Sequence, residues 1–338
     1  MTEIRSERSY IIAEVGSNHG GDFESAKRYL KAAADTGVDA VKFQLYQAER
    51  LIVKDADPLP LAGDEYDTQY ERFQKLQFTE DQWRELASLA DDYEVDFAAS
   101  AFDCDMVDLT AELSPFIKIA SGDLTNIPLL RHANKSGIPV VLSTGYATMD
   151  EIKSAVRELA DVPLTLLHCV GSYPTPDNEA NLQMLDNLNE RFNVSVGYSD
   201  HTVGTRVPLA AVANGATVIE KHFTLDKSQE IGDHRLSANP EEMKRIVEES
   251  QRINAMFGDF ERESFLPVEE EIRTEMRRSL SVCDPVAEGE TLDEDMLVAL
   301  RPATGIDPSR IDDIVGRRVS TDIGPGTILT EAHLEDNE

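Results

Sequence analysis

Short apolar runs alternate with amphipathic stretches along the first 258 residues. A hydrophobic period of two marks strands and one of about 3.6 marks helices, so the two kinds of segment can be told apart. Eight runs read as strands: residues 10–15 (YIIAEV), 40–45 (AVKFQL), 95–100 (VDFAAS), 116–120 (FIKIA), 140–143 (VVLS), 164–170 (LTLLHCV), 194–198 (VSVGY) and 217–223 (TVIEKHF). Each is followed by a stretch with helical spacing, among them 23–36, 81–93, 149–160 and 241–257. Strand and helix alternating eight times predicts a (β/α)8 TIM barrel, a fold that takes about 250 residues. Beyond residue 258 the texture changes. Residues 259–278 read as a charged, helical linker interrupted by Pro267, and 279–338 carry short apolar runs (SLSV, MLVAL, IVGRRV, TILTEAHL) broken by Gly and Pro. The three segments are therefore a barrel at 1–258, a linker at 259–278 and a second, small domain of short strands at 279–338. A unit of about 60 residues buries little apolar surface, so this domain is expected to dock on the barrel or on a partner subunit. Residues 46–79, after the second strand, exceed the roughly 15 residues of an ordinary connection and read as functional.

Composition narrows the function classes. Hydrophobic residues make up 41% of the 338, enough for a large core, yet no run approaches the roughly 18 apolar residues of a membrane span. Lys and Arg number 32 against 64 Asp and Glu, a formal net charge of −32, which argues against nucleic acid or an anionic membrane as partner. Arg outnumbers Lys by 21 to 11 and the acids are spread along the whole chain, a pattern suited to a halophile's surface. At molar salt the Debye length falls to about 3 Å and such self-repulsion is screened. The three cysteines, Cys104, Cys169 and Cys283, are too few and too far apart for a disulfide framework. The opening MTEIRSERSY lacks the charged-then-apolar run of a secretory signal, so a cytoplasmic location is expected.

Active sites of such barrels lie at the C-terminal ends of the strands, and polar residues collect there at nearly every strand. They are Glu14, Ser17, Asn18 and His19; Lys42 and Gln44; Ser100; Lys118, Ser121 and Asp123; Ser143 and Thr144; His168; Ser199, Asp200 and His201; and Glu220, Lys221 and His222. Alternation puts Lys42 with Gln44, and Glu220 with His222, on one face of their strands. A lysine in an apolar strand can equally be an exposed residue of a misread segment, but two on different strands favour a pocket. Lys42 and Lys118 with Ser121, Ser143 and Ser199 would make a cationic, hydroxyl-rich site for a phosphorylated carboxylate. His201 and His222, at adjacent strand ends, suit Mn²⁺, Zn²⁺ or a similar ion, with a core histidine bonded to a backbone carbonyl as the alternative for each. For His168 that core role is preferred. Cys104 and Cys169 read as small buried apolar residues, because neither has a nearby base.

The segments 11–20 (IIAEVGSNHG), 41–44 (VKFQ), 117–123 (IKIASGD), 142–145 (LSTG), 172–176 (SYPTP), 197–204 (GYSDHTVG), 219–226 (IEKHFTLD) and 232–237 (GDHRLS) resemble the sialic acid (N-acetylneuraminate) synthase family of phosphoenolpyruvate-dependent nonulosonic acid synthases. Residues 279–338, with Arg301 and Pro302 in LRPATGI, resemble that family's antifreeze-like (SAF) domain, a β-clip-type fold. The resemblance implies a cytoplasmic transferase that condenses phosphoenolpyruvate with N-acetylmannosamine and water to N-acetylneuraminate and phosphate. It implies that Lys42, Ser100, Lys118, Ser121, Ser143 and Ser199 hold phosphoenolpyruvate. Gln44, Tyr173, Asp233 and Arg301 would contact the sugar, and Glu14, Glu220 and His222 would be catalytic, the carboxyls being tuned toward neutrality for proton transfer. His201 and His222 would ligate a divalent metal, Mn²⁺ by preference with Mg²⁺ or Co²⁺ as alternatives, which polarises the sugar aldehyde. Arg301 would serve the sugar of a partner subunit, which implies a domain-swapped homodimer.

Two positions depart from the family pattern. Gly171 stands where some members have Asn, leaving one polar contact missing or supplied by Ser172 or a backbone N–H, and Ser100-Ala101-Phe102-Asp103 replaces a common Thr-Pro-Phe-Asp. The nearest rival is a legionaminic or pseudaminic acid synthase, with the same chemistry on a 6-deoxy-diacetamido hexose. A metal-dependent hydrolase or aldolase is disfavoured by two lysines without a third clear metal ligand, and a carbohydrate- or ice-binding protein by the many converging polar strand ends. From the charge pattern, the chain is expected to reach its full thermal midpoint and activity only in molar KCl. Complete folding in dilute buffer, read by circular dichroism, contradicts that expectation.

Overall fold

Alternation along each strand becomes two surfaces of a closed barrel. The computed structural model describes residues 8–58, 66–229, 232–258 and 265–335. The parallel strands are β1 Tyr10–Glu14, β2 Ala40–Leu45, β3 Asp96–Ala101, β4 Ile117–Ile119, β5 Val140–Ser143, β6 Leu164–His168, β7 Ser195–Asp200 and β8 Val218–His222, and β8 pairs back onto β1. This is the expected (β/α)8 barrel. Its outward rows, including Ile11, Val41, Phe43, Phe97, Ile117, Leu142, Val196 and Ile219, pack with the surrounding helices into the main core.

The inward rows form two layers. Ile12, Ala40, Ala98, Phe116, Val141, Leu167 and Val218 make an apolar floor. Two residues further along the same strands come Glu14, Lys42, Ser100, Lys118, Ser143 and Glu220, all buried. At Gly197 of β7 a Cβ would come within 2.4 Å of the Val218 carbonyl oxygen and 2.7 Å of Leu167 Cδ2, so only glycine lets the floor close there.

Helix starts follow capping chemistry. Asp22 caps the helix Phe23–Ala34 by accepting from the Ser25 N–H, and Thr79 with Gln82, Thr148 with Glu151 and Asn239 with Glu242 form reciprocal capping boxes for Glu80–Asp92, Met149–Glu158 and Pro240–Phe257. Three readings need correction. Residues 46–79 contain the helices Ala48–Leu51 and Gln69–Leu76 rather than one long loop, and 59–65 lie outside the described residues. Pro267 opens the helix Pro267–Met276 instead of interrupting one, because a first-turn N–H has no intrahelical partner to lose; residues 259–264 of that segment, like 1–7 and 336–338, lie outside the described residues. Finally, β7 runs two residues past Tyr198, through Ser199 and Asp200.

Residues 1–258 and 259–338 form two compact units. The second has an antiparallel pair, β9 Ser279–Val282 with β10 Leu297–Leu300, and bridges such as Val286 to Ile323 and Val319 to Leu334. Its own core gathers Leu280, Val282, Leu292, Ile306, Ile314 and Leu329. Among the described residues no helix is long and apolar enough to cross a membrane.

One charged pair interrupts the apolar outer face. Asp200 and Lys221 alternate with barrel-facing Ser199, Glu220 and His222, so they face the helices, fully buried. Lys221 Nζ donates to Asp200 Oδ2 at 2.6 Å and to the Thr202 carbonyl, while Asp200 accepts from the Thr202 N–H and hydroxyl at 3.1 Å each. Removing one partner of such a pair leaves a buried charge unanswered, at about 3–5 kcal/mol. Lys221→Met is accordingly expected to lose about that much in denaturant unfolding, with Asp200→Asn on the same chain recovering part of it. A loss in Lys221→Met below about 1 kcal/mol, the level of an exposed pair, would contradict this.

Candidate active site

Strand register brings the polar layer into contact. Glu14 pairs with Lys42, Ser100 with Lys118 and Ser199 with Glu220 across neighbouring strands. Lys42 Nζ lies 2.7 Å from Glu14 Oε2 and 3.6 Å from Glu220 Oε2, and donates to Ser100 Oγ at 2.8 Å. Gln44 Nε2 donates to Glu14 Oε1 at 3.1 Å, and the Ser199 hydroxyl donates to Glu220 Oε1 at 2.9 Å. Lys118 Nζ donates to Ser143 Oγ at 2.7 Å and to the Ile119 carbonyl at 2.9 Å.

The pocket is therefore not simply cationic, as the two lysines alone implied. Two carboxylates stand among them, and they divide the lysines unequally. Lys42 is answered at contact distance by Glu14, whereas among the described residues both bonds of Lys118 go to neutral oxygens. Burial opposes charge on Lys42, but Glu14 and Glu220 outweigh it and hold its ammonium above the ordinary range. For Lys118 burial prevails and pushes the ammonium down. The two carboxyls diverge as well. Burial, reinforced by Glu220, raises Glu14 despite Lys42 beside it. Burial also works against Glu220, yet Lys118, Lys42 and the Ser199 hydroxyl hold it at about 2, so Glu220 is not tuned toward neutrality.

The rim carries the imidazoles. The His201 and His222 rings are 5.4 Å apart, and Tyr173 packs on His201 at 4.1 Å and meets His222 edge-on at 6.1 Å. His201 Nδ1 is 2.8 Å from the Val170 carbonyl and must donate to it, which leaves the Nε2 lone pair available. His222 Nδ1 is buried without a hydrogen bond, with Asp233 Oδ2 at 3.5 Å. Burial pushes both imidazoles toward the neutral form, His201 to about 4 with help from His222. Two neutral nitrogen donors at adjacent strand ends fit a divalent ion of the Mn²⁺ to Zn²⁺ series. Among the described residues no three His, Cys, Asp or Glu side chains form a ready-made cage, so further ligands would have to come from substrate or water.

The remaining expected residues fall as follows. Ser121 opens the short turn after β4, accepts from the Gly145 N–H at 3.0 Å and lies 3.0 Å from Cys169 Sγ, beside the Lys118 and Ser143 pair. Asp233 stands next to the His222 imidazole. Arg301 is exposed on the second unit. His168 Nε2 is 2.8 Å from the Ala180 carbonyl, a core histidine as read. Cys169 is buried, but Cys104 is only half-buried, because it opens the helix Cys104–Leu113 that Asp103 caps.

This geometry can be set beside known proteins. A model of the NeuB family matches residues 29–262, and one of the SAF domain matches residues 277–335. The chain belongs to the NeuB family. The N,N'-diacetyllegionaminic acid synthase of Legionella pneumophila is 38% identical over 340 residues, with 96% of this chain and 94% of that protein covered. The N-acetylneuraminate-9-phosphate synthase of Drosophila melanogaster is 34% identical over 345 residues, with 93% of each covered. The crystal structure of the N-acetylneuraminic acid synthetase of Leptospira borgpetersenii in complex with citrate aligns with a TM-score of 0.71 at 35% identity, over 78% of this chain and 90% of that one.

In this NeuB-family chain, sequence reasoning noted Asp200 and Lys221 at the strand ends but gave them no role. The signal was available: opposite charges one residue beyond Ser199 and Glu220 on adjacent strands. The unequal answering of the lysines separates their variants. Lys118→Met removes an ammonium with no carboxylate at contact distance and is expected to cost less in denaturant unfolding than the loss of Lys42. Lys42→Met leaves Glu14 unanswered and is expected to lose about 3 kcal/mol or more in the same unfolding experiment. Equal stability losses in the two variants would contradict the division.

Proposed function

We propose that this protein is a nonulosonic acid synthase, condensing phosphoenolpyruvate with an N-acylated amino sugar and water to give a nine-carbon 2-keto acid and inorganic phosphate. The observation that carries the reading is Lys118: a buried ammonium that donates to Ser143 and the Ile119 carbonyl, meets no carboxylate at contact distance among the described residues, and so wants an anion. Within that reading Lys118, Ser121 and Ser143 hold the phosphate side of phosphoenolpyruvate, and Lys42, Ser100 and Ser199 hold its carboxylate side. The enol C3 forms a bond to the aldehyde carbon of the open-chain sugar, whose oxygen takes a proton. Glu14, raised by burial and within reach of Gln44 and Lys42, is the group suited to deliver it. Glu220, kept ionised by the two lysines and Ser199, faces the positive charge that develops at C2 until water adds there. The added water gives up one proton to become the C2 hydroxyl; the C2–O bond to phosphate then breaks, phosphate leaves with the electron pair, and loss of the hydroxyl proton leaves the C2 carbonyl.

His201 and His222 would hold the divalent metal, Mn²⁺ being our preference over Mg²⁺ or Co²⁺, and when bound it supplies Lewis-acid polarisation of the aldehyde. Asp233 at 3.5 Å would orient the His222 ring. Tyr173, stacked on His201, and Gln44 would border the sugar. Between the two sugar classes, we favour the 6-deoxy-diacetamido hexose of legionaminic acid over N-acetylmannosamine, because identity to the Legionella synthase is 38% against 34% for the Drosophila neuraminate-9-phosphate enzyme. We also propose a homodimer, in which Arg301 serves the partner's sugar and the SAF domain is exchanged. In its support, Val268, Ile272 and Met276 form one exposed apolar row at i, i+4 and i+8 along the helix Pro267–Met276. A high-salt cytoplasm completes the proposal.

The deciding experiment follows phosphate release from phosphoenolpyruvate in molar KCl with Mn²⁺, offering the two sugars in parallel and weighing the products by mass spectrometry. Turnover is expected with the diacetamido sugar and is abolished by EDTA. Turnover with N-acetylmannosamine alone overturns the sugar assignment, and release with neither sugar by folded protein overturns the function.

A further inference from the structure

Gly171 follows β6 with no side chain, where some family members carry Asn, and the loop after β5 supplies a group in the vacant space. A Cβ built on Gly171 would lie 2.1 Å from both Cε1 and Cζ of Tyr146 and 2.7 Å from Cδ1. A side chain on residue 171 and the ring in this position exclude each other. Tyr146 reaches the position from an unusual backbone: its φ is +61°, in the left-handed region that a bulky residue seldom enters. It follows Gly145, whose N–H is pinned to Ser121 Oγ at 3.0 Å, and Ser121 in turn lies 3.0 Å from Cys169 Sγ. Tyr146 thus follows a residue held to Ser121, yet its side chain is 71% exposed, so it stands at the surface rather than in the core. Cys169 lies close enough to raise the cost of ionising the Tyr146 phenol, after burial, and Tyr146 has the same effect on Tyr173.

Both donors of Ser172 are engaged. The Ser172 N–H donates to the Val170 carbonyl at 2.9 Å, and the Ser172 hydroxyl to the Pro174 carbonyl at 3.1 Å. Neither is left for a ligand. The Tyr146 hydroxyl is one bond beyond a Cζ that lies 2.1 Å from where a Cβ on residue 171 would stand, and it makes no hydrogen bond among the described residues.

We infer that Tyr146 and Gly171 are a coupled exchange, in which the phenol hydroxyl of Tyr146 takes over the anion contact that a polar side chain at position 171 would otherwise make, and so binds the phosphoenolpyruvate side of the site. The inference rests on the function proposed above and adds to it a binding residue from a different loop. The left-handed backbone at 146 and the bare glycine at 171 are the two halves of one arrangement, each without purpose alone.

The test is phosphoenolpyruvate binding to the full chain by calorimetry in molar KCl, with KM for both substrates where turnover is measurable. Tyr146→Phe keeps the ring and loses only the hydroxyl; its Kd for phosphoenolpyruvate is expected to rise about tenfold, the size of one lost hydrogen bond to a charged ligand, while KM for the sugar moves less than twofold. Gly171→Asn alone, forced against the ring, is expected to weaken binding, whereas Tyr146→Ala with Gly171→Asn together should recover most of the affinity that Tyr146→Ala loses. That recovery is not expected of a merely structural ring. Wild-type protein that binds phosphoenolpyruvate no more tightly than Tyr146→Phe overturns the exchange and leaves the proposed function standing, and so does a rise confined to the sugar KM. Wild-type protein that binds no phosphoenolpyruvate overturns both.

Discussion

A charge taken into a barrel must be answered there, because water no longer does it, and the burial of Lys42, Lys118, Glu14 and Glu220 above an apolar floor is the condition on which the rest of this structure turns. Three of the four face one another: Glu14 and Glu220 lie 2.7 and 3.6 Å from Lys42 Nζ, Ser100 accepts from Lys42 and Ser199 donates to Glu220. Lys118 is the remainder. Its hydroxyl and carbonyl partners soften its burial without cancelling its charge. An internal arrangement that leaves one buried cation without a carboxylate at contact distance is suited to take up an anion. Had a third carboxylate stood next to Lys118, the fold would be better satisfied and the site closed.

The layering makes this possible at modest cost. Each strand enters the barrel apolar and leaves it polar within two residues, as Ile12 to Glu14, Ala40 to Lys42, Phe116 to Lys118 and Val218 to Glu220. The floor excludes water from below, which strengthens every electrostatic contact above it. Asp200 and Lys221 do on the outer surface what Glu14 and Lys42 do on the inner one, and they clamp the turn that carries His201 through Thr202. The imidazoles at the rim are thus held from behind by a buried ion pair and from below by a buried charge network.

Much of this was legible in the sequence because strands have a strict period. Once the eight runs are recognised, alternation alone sends Lys42 and Gln44 inward together and Glu220 with His222, and the hydrogen bonds among Glu14, Gln44, Lys42 and Ser100 follow. What the sequence hid was pairing across strands. Ser199 and Asp200 looked like loop because they are polar, but each has a β8 partner that holds it in the sheet, Glu220 for one and Lys221 for the other. The depressed carboxyl of Glu220 was invisible for the same reason, since it depends on two lysines from β2 and β4. Pro267 was read as a break because proline disrupts a helix interior, and only its place in the first turn reverses that sense. Tyr146 was hidden because it packs against Gly171, one helix and one strand further along the chain.

The global and local charges pull in opposite directions, and their depths reconcile them. A net charge of −32 repels any anion approaching the surface, which favours slow encounter at low ionic strength. Salt acts on that surface field: at molar concentration it confines exposed charges to about 3 Å. It acts far less on Lys118, which is only 2% exposed and surrounded by barrel. Raising the salt therefore weakens the repulsion outside while sparing most of the attraction that Lys118 would exert on an anion inside. An anion-binding enzyme with exposed lysines could not separate the two effects, since screening would weaken both. Depth, more than the number of cations, is what allows a strongly acidic protein to hold an anionic substrate.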